Sequence, residues 1–238
     1  MNASFQRIPA IMSLLAMLVA TFSAATAAIA QDSQPAIITP AESIPEKQAL
    51  EYVKMTTSLG DIIIELNREK APISVENFLN YVEQERYDGT IFHRVMANFM
   101  IQGGGFNAEL QKVPTDPSIQ NEWQNGLKNV RGSIAMARLG GQADSATNQF
   151  FINVKDNPAL DSPRDGAAYA VFGKVVAGME TVEAIRNTPT LSKPQLRMAN
   201  VPAETVVIKS VRHISADDAK KLIEKESSDK TSPTSRPG

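Results

Sequence analysis

Arg94 stands in an unusual setting. The run Phe92-His93-Arg94-Val95-Met96-Ala97-Asn98-Phe99-Met100-Ile101-Gln102-Gly103-Gly104 puts one guanidinium among large apolar side chains, with an amide at Gln102. In a strand alternate residues share a face, so Phe92, Arg94 and Met96 are expected on one side and His93 and Val95 on the other. Taken alone, the run reads as a half-buried strand whose arginine lays its stem on apolar surface and keeps its head in water. A second stretch repeats the mixture. Ser133-Ile134-Ala135-Met136-Ala137-Arg138 and Asn148-Gln149-Phe150-Phe151-Ile152-Asn153 again set glutamine beside aromatic rings, across a small polar loop from Leu139 to Thr147. Core phenylalanines with exposed amides would give the same pattern.

Composition removes most other chemistries. The 238-residue chain has no cysteine, which excludes disulfides, thiolate zinc sites and cysteine nucleophiles. Its two histidines, His93 and His213, are far apart in sequence, which argues against a multi-histidine metal site, and the Asp-x-Asp-x-Asp-Gly calcium spacing is missing. Neither a metal nor a cofactor is expected. A serine hydrolase would need His93 as its base, yet there is no Gly-x-Ser-x-Gly, and Ser133 and Ser145 have no supporting context. Gly103-Gly104-Gly105 lacks the Gly-Lys-Ser/Thr ending of a phosphate loop and reads as a tight turn with close backbone approach; Gly173-Lys174 runs into Val175. The single tryptophan, Trp123, has polar neighbours and is expected to pack under a long loop. A formal charge of −2 gives no clustered positive surface for nucleic acid.

The chain divides into four parts. Residues 1–30 carry Arg7, an uncharged stretch from Ile8 to Ala30 and a small-residue end at Ala28-Ile29-Ala30, the pattern of a secretory signal peptide cleaved before Gln31. The same stretch is long enough to serve as an uncleaved membrane anchor, so membrane contact is expected only in that case. Either way the rest of the chain leaves the cytoplasm; a periplasmic or otherwise exported protein is expected. Residues 31–49, with Pro35, Pro40 and Pro45, read as an extended linker. Residues 50–214 form the compact unit, and residues 215–238 a polar tail expected to be disordered apart from a helical turn or two within Ala216 to Lys225.

Inside the compact unit, Tyr52 to Thr56 and Ile62 to Leu66 predict a hairpin around Gly60-Asp61. After Pro72, the residues Val75, Phe78, Leu79 and Val82 follow helical spacing. Short strands are predicted at Ile91 to Val95, Phe99 to Gln102, Ser133 to Ala137, Gln149 to Val154 and Ala170 to Val175. A second helix, Met179 to Asn187, and a last strand, Glu204 to His213, complete the list. Many short strands without regular βαβ alternation indicate a mainly β fold, closed or capped by helices. No heptad seam is exposed, and a monomer is expected.

Phe-His-Arg-Val-x-x-x-Phe-Met-Ile-Gln-Gly-Gly, then Met-Ala-Arg, then Gln-Phe-Phe-Ile, then Val171-Phe172-Gly173-Lys174-Val175, resembles the cyclophilins, a family of peptidyl-prolyl cis-trans isomerases. The order and spacing fit from about Tyr52 to His213, and the Met-Ala-Arg form with the leader resembles the exported bacterial subgroup. The resemblance implies a closed eight-stranded antiparallel β-barrel capped by two α-helices, with a substrate groove on its outer face. It implies Arg94 as the catalytic arginine and Gln102 as the amide holding the substrate backbone. Phe99, Met100, Phe151 and Leu160 fall on the apolar pocket for the substrate proline, with backbone contributions around Ala137 and Arg138. Gln149 and His93 fall on positions lining or supporting the groove. Three positions depart from the family pattern: Ala159 stands for a frequent tryptophan, Arg138 for an asparagine and Tyr169 for a groove histidine.

The implied reaction suits this equipment. Rotation about a peptide bond meets a barrier of roughly 18–20 kcal/mol because resonance stiffens the C–N bond. No bond breaks, so neither nucleophile nor metal is needed. A guanidinium that stays charged at any relevant pH can donate to the proline nitrogen as it regains its lone pair. Apolar walls would exclude water and strengthen that effect. The expected partners are Xaa-Pro segments of unfolded or folding exported proteins. A peptide-binding module or holdase on the same barrel, binding without acceleration, is the other reading. A barrel holding a small apolar ligand is disfavoured, since large inward side chains would fill short-stranded interiors.

Overall fold

A computed structural model describes residues 50–231 of the chain. The leader, the 31–49 linker and the end of the polar tail lie outside the described residues. Seven strands of the main sheet come first: β1 (Leu50–Thr57), β2 (Gly60–Asn67), β3 (Thr90–Met96), β4 (Met100–Asn107), β5 (Ser133–Met136), β6 (Phe150–Asn153) and β7 (Val171–Ala177). A separate hairpin, β8 (Thr190–Lys193) and β9 (Met198–Pro202), precedes the eighth sheet strand, β10 (Ile208–Ile214). Helix α1 (Pro72–Glu83) lies between β2 and β3, α2 (Met179–Arg186) follows β7, and α3 (Ala216–Thr231) follows β10.

The β1–β2 hairpin is held in register by its apolar pattern. Val53 faces Ile64 and Met55 faces Ile62, all four fully buried, so a one-residue slip would turn the whole set to solvent. The sheet order is β10-β1-β2-β7-β5-β6-β4-β3, antiparallel throughout. The expected closed barrel is not found: the sheet curls, and its two edge strands share no ladder. The approach of β3 to β10 is limited to an isolated Ile91–Val207 bridge and two hydrogen bonds, Phe92 N–H to Val206 O at 3.0 Å and Gly89 N–H to Ile208 O at 2.9 Å. Register irregularities in the β1–β10 and β3–β4 ladders sharpen the local twist, and only the chain just before and at the start of β10 reaches β3.

Helix α1 covers one opening of the curled sheet. Val75, Phe78, Leu79 and Val82 are buried, and the Phe78 ring lies 5.0 Å from Tyr87, 5.3 Å from Phe172 and 5.7 Å from Phe150. Such ring clusters add to the area they bury. Pro72 starts the helix, where its missing N–H costs nothing. Ala71 offers no side-chain cap; instead Glu122 accepts from Ile73 N–H at 3.0 Å and from Ser74 N–H and Ser74 Oγ at 2.7 Å each. A carboxylate from the long loop between β4 and β5 thus satisfies donors the helix itself cannot, at its positive end.

The tail departs from expectation: Ala216–Thr231 is a helix, the third in the fold where two were expected. Ser215 Oγ accepts from Asp218 N–H at 3.1 Å and donates to Asp218 Oδ2 at 2.7 Å, which caps the helix start. Ala219 is fully buried, and Leu222 and Ile223 share its face by i+3 and i+4 spacing. That stripe packs on Ile63, Ala177, Val176, Tyr52 and Ile214. Three apolar residues inside a polar sequence are enough, because the strands supply the rest of the apolar surface.

Gly103-Gly104-Gly105 continues β4 rather than turning. The close approach is real: with φ +85° at Gly104, a Cβ would lie 2.8 Å from Asn148 O, and at Gly105 one would lie 2.5 Å from the Gln149 side chain.

Candidate active site

The β4–β6–β5 ladder sets the floor of the site. Gln102 pairs with Phe151, and Phe151 with Ala135 on β5. Strand alternation sends Phe150 and Ile152 into the main core and Phe151 to the outer face, where it meets Met100, Ala135 and Val171. On β3 the alternation breaks. Phe92 pairs with Gly103 and Arg94 with Gln102, so two steps on β3 match one on β4. This bulge turns Phe92 into the main core while Met96 joins the outer cluster, and Phe92 does not share the face of Arg94 and Met96 as strict alternation predicts.

Arg94, Phe99, Met100, Gln102, Ala137, Arg138, Phe151, Leu160 and Tyr169 together line a cavity of about 130 Å³. Phe151 and Tyr169 meet edge to face, with ring centres 5.6 Å apart. Arg94 Nη1 lies 3.4 Å from Gln102 Oε1, and Arg94 Nη2 lies 3.1 Å from Met96 Sδ. Gln102 Nε2–H donates to Gln149 Oε1 at 3.0 Å. Among the described residues no carboxylate comes within ion-pair distance of the half-buried Arg94. Burial lowers its pKa from the ordinary arginine value, and Tyr169 opposes the change. The group remains a cation whose own contact partners, Met96, Met100 and Gln102, are neutral, so its field is available to whatever enters the cavity.

The remaining expected residues take different positions. His93 is buried, 4.6 Å between ring centres from Phe106, and does not line the small cavity. Burial pulls its pKa down to about 4; Ile91 opposes this, the Arg94 charge adds to it, and Gln149 opposes it least. Gln149 braces Gln102, and its carbonyl accepts Ala137 N–H at 2.9 Å. The Ala137 N–H is therefore spent inside the fold. Arg138, expected to contribute backbone contacts, has a further role: its side chain is only 2% exposed and clamps the loop from Arg164 to Ala168. It donates to Arg164 O and Asp165 Oδ1 at 2.9 Å each, bonds the carbonyls of Ala167 and Ala168, and stacks 4.9 Å over the Tyr169 ring.

Beyond Gln102 the groove opens into a second, more polar cavity of about 350 Å³, walled in part by Lys112, Thr115, Ser145 and Thr147. No strand periodicity marks these loop residues in the sequence as part of a groove.

The model of the cyclophilin type peptidyl-prolyl cis-trans isomerase/CLD family matches residues 52–213. The chain belongs to the cyclophilin family. It is 52% identical over 168 residues to a peptidyl-prolyl cis-trans isomerase of Acinetobacter baylyi, covering 71% of this chain and 88% of that one. It is 48% identical over 163 residues to peptidyl-prolyl cis-trans isomerase A of Dickeya dadantii, covering 68% and 84%. A cyclophilin type isomerase of Cryptosporidium parvum, solved in the presence of the dipeptide Ala-Pro, aligns with a TM-score of 0.57 at 27% identity, covering 69% of this chain and 99% of that one. This cyclophilin is thus a peptidyl-prolyl cis-trans isomerase, and proline-containing peptides are its substrate class.

Proposed function

We propose that this isomerase accelerates Xaa-Pro rotation by setting the Arg94 guanidinium against the proline nitrogen while the ring sits among Phe99, Met100, Phe151 and Leu160. The observation that carries the reading is a half-buried cation with no carboxylate partner among the described residues, at the wall of an apolar cavity of about 130 Å³. That size suits a pyrrolidine ring. As the amide twists, its nitrogen gains basicity, and a preset guanidinium interacts more strongly with the twisted state than with either planar isomer. Gln102, braced by Gln149, holds the preceding carbonyl so that only one side of the bond turns. The Ala-Pro dipeptide present with the Cryptosporidium parvum relative is consistent with a short proline segment entering such a cavity.

The clients are exported proteins that expose proline segments while folding, and the enzyme works outside the cytoplasm as a monomer. Support for the address comes from the first 30 residues: Arg7, the uncharged Ile8 to Ala30 stretch and the small-residue end. Exchange NMR on an Xaa-Pro peptide tests the chemistry through Arg94→Lys. The Lys variant keeps the charge but loses the planar fork, and exchange is expected to fall at least tenfold; wild-type exchange would remove guanidinium geometry from the mechanism. Cell fractionation with N-terminal sequencing tests the address, with Gln31 as the expected first residue.

A further inference from the structure

Three buried asparagines connect residues that wall the small cavity: Asn153 at the end of β6, Asn129 in the loop before β5 and Asn157 just before the Pro158–Leu160 turn. Asn129, Asn153 and Asn157 are each at most 5% exposed. Buried amides carry a desolvation cost unless every donor finds an acceptor, and here each Nδ2 uses both hydrogens. Asn157 Nδ2 donates to Phe99 O at 2.8 Å and to Asn153 Oδ1 at 2.7 Å. Asn153 Nδ2 donates to Asn129 Oδ1 at 3.0 Å and to Ser133 Oγ at 2.9 Å. Asn129 Nδ2 donates to Asp161 Oδ1 at 2.9 Å and to Tyr169 O at 3.3 Å. The donors run in one direction, from Asn157 through Asn153 to Asn129, and end on a carboxylate.

The two ends of this relay are walls of the cavity. Apart from Asn157, Phe99 has two backbone bonds: its N–H goes to Met96 O at 2.9 Å within the turn, and its carbonyl takes Val154 N–H at 3.2 Å from the end of β6. Leu160 sits in the short 3-10 turn Pro158–Leu160, between Asn157 and Asp161, and its carbonyl accepts Tyr169 N–H at 3.1 Å. Phe99 belongs to the β3–β4 turn, and Leu160 and Tyr169 to the long β6–β7 connection. The amides bond the carbonyls of Phe99 and Tyr169 directly, and Leu160 N–H donates to the backbone carbonyl of Asn157 at 2.9 Å.

We infer that Asn129, Asn153 and Asn157 are positioning residues that fix the spacing of Phe99, Leu160 and Tyr169, and with it the fit of the cavity to the proline ring. The inference rests on the reading that this cavity receives that ring. Polar satisfaction throughout the relay makes the spacing unique, which a purely apolar filling would leave adjustable. Losing one link lets the Phe99 turn and the Leu160 turn drift apart. Ring binding weakens in both planar and twisted states, so affinity falls while turnover of bound peptide stays.

The test measures the Kd of an Xaa-Pro peptide by titration and its exchange rate at saturation, at temperatures where each variant is folded. Asn157→Ala is expected to raise Kd about fivefold, the worth of one internal hydrogen bond, with the saturated rate within twofold. Asn157→Asp, which keeps the shape but sets a carboxylate oxygen against Phe99 O and Asn153 Oδ1, is expected to raise Kd at least as much. Val53→Ala opens a core cavity in β1, which does not border the site, and is expected to lower the melting temperature with Kd unchanged. Should Asn157→Ala fail to fold, Asp161→Ala removes the last acceptor from a partly exposed position and is expected to raise Kd in the same direction. A wild-type Kd in folded Asn157→Ala or, failing that variant, in Asp161→Ala overturns the inference. So does an equal rise in Val53→Ala. Phe151→Ala separates the two readings: if it leaves Kd unchanged the cavity is not the ring's site, whereas a raised Kd there beside a wild-type Kd in Asn157→Ala removes the relay alone.

Discussion

Arg94 and Gln102 face one another across the β3–β4 ladder, with Nη1 3.4 Å from Oε1, and neither side chain meets a carboxylate among the described residues. A neutral amide in that place leaves the guanidinium charge uncompensated. Gln102→Glu is nearly isosteric but puts an anion against Arg94. Peptide exchange is expected to drop by roughly 10²-fold or more, since a preset electrostatic donor is worth about that much. Gln102→Leu, which removes the amide but adds no charge, is expected to lose less. Equal losses in the two variants would mean that the amide matters and the open charge does not. Exchange rates at saturating peptide decide it.

Much of this site was legible in the sequence, and the part that was not has a common cause. Phe151 outward and Phe150 and Ile152 inward follow from a period of two, and the α1 face from Val75, Phe78, Leu79 and Val82. Strict alternation puts Phe92 on the wrong face because the extra step between it and Arg94 leaves no mark in residue type. In the Asn129–Asn153–Asn157 relay, Asn157 before Pro158 reads as an ordinary turn start, and only Asn153, closing the apolar run Phe150-Phe151-Ile152, stands out in the sequence. What no local pattern could supply was that Asn129, 24 residues earlier, would meet them. Glu122 capping α1 from a distant loop is the same kind of event. Helix α3 was underestimated because its own sequence has too few apolar residues, and its partner surface belongs to β1, β2, β7 and β10.

The His93 pKa of about 4 lies below the ordinary histidine value of 6.5 because burial disfavours the charged ring. Below pH 6.5 the unfolded chain takes the proton more readily than the folded one, so stability falls as pH drops from about 6.5 to 4. The full difference is roughly 3 kcal/mol. Below that window the lowered carboxylates Asp61, Asp165 and Asp218 continue the loss. Urea melts between pH 4 and 7 should show the upper slope, and His93→Leu should flatten it. An unchanged slope in that variant would assign the acid sensitivity elsewhere.

Glu122→Ala leaves Ile73 N–H and Ser74 N–H at the start of α1 without their acceptor. Loss of a helix cap costs about 1–2 kcal/mol. Chemical denaturation should show that loss, and exchange per folded molecule should stay at the wild-type rate, because α1 supplies no lining residue to either cavity of the groove.

Ala219→Arg forces a long charged side chain into a fully buried position beneath α3. The helix is expected to undock and, being polar elsewhere, to lose protection of its amides in hydrogen exchange. The sheet and the groove are expected to keep theirs. Protection retained along α3 would show that its docking does not depend on the Ala219 contact.

The central claim is that Arg94 lowers the barrier to rotation and adds little to peptide affinity, and Arg94→Ala tests it most directly. Peptide Kd by titration and the cis–trans exchange rate at saturation are measured on the same sample, with a melting curve to show that it is folded. The account predicts exchange slowed by roughly 10²–10³-fold with Kd within a fewfold of wild type. A folded Arg94→Ala that exchanges the bound peptide near the wild-type rate would contradict it.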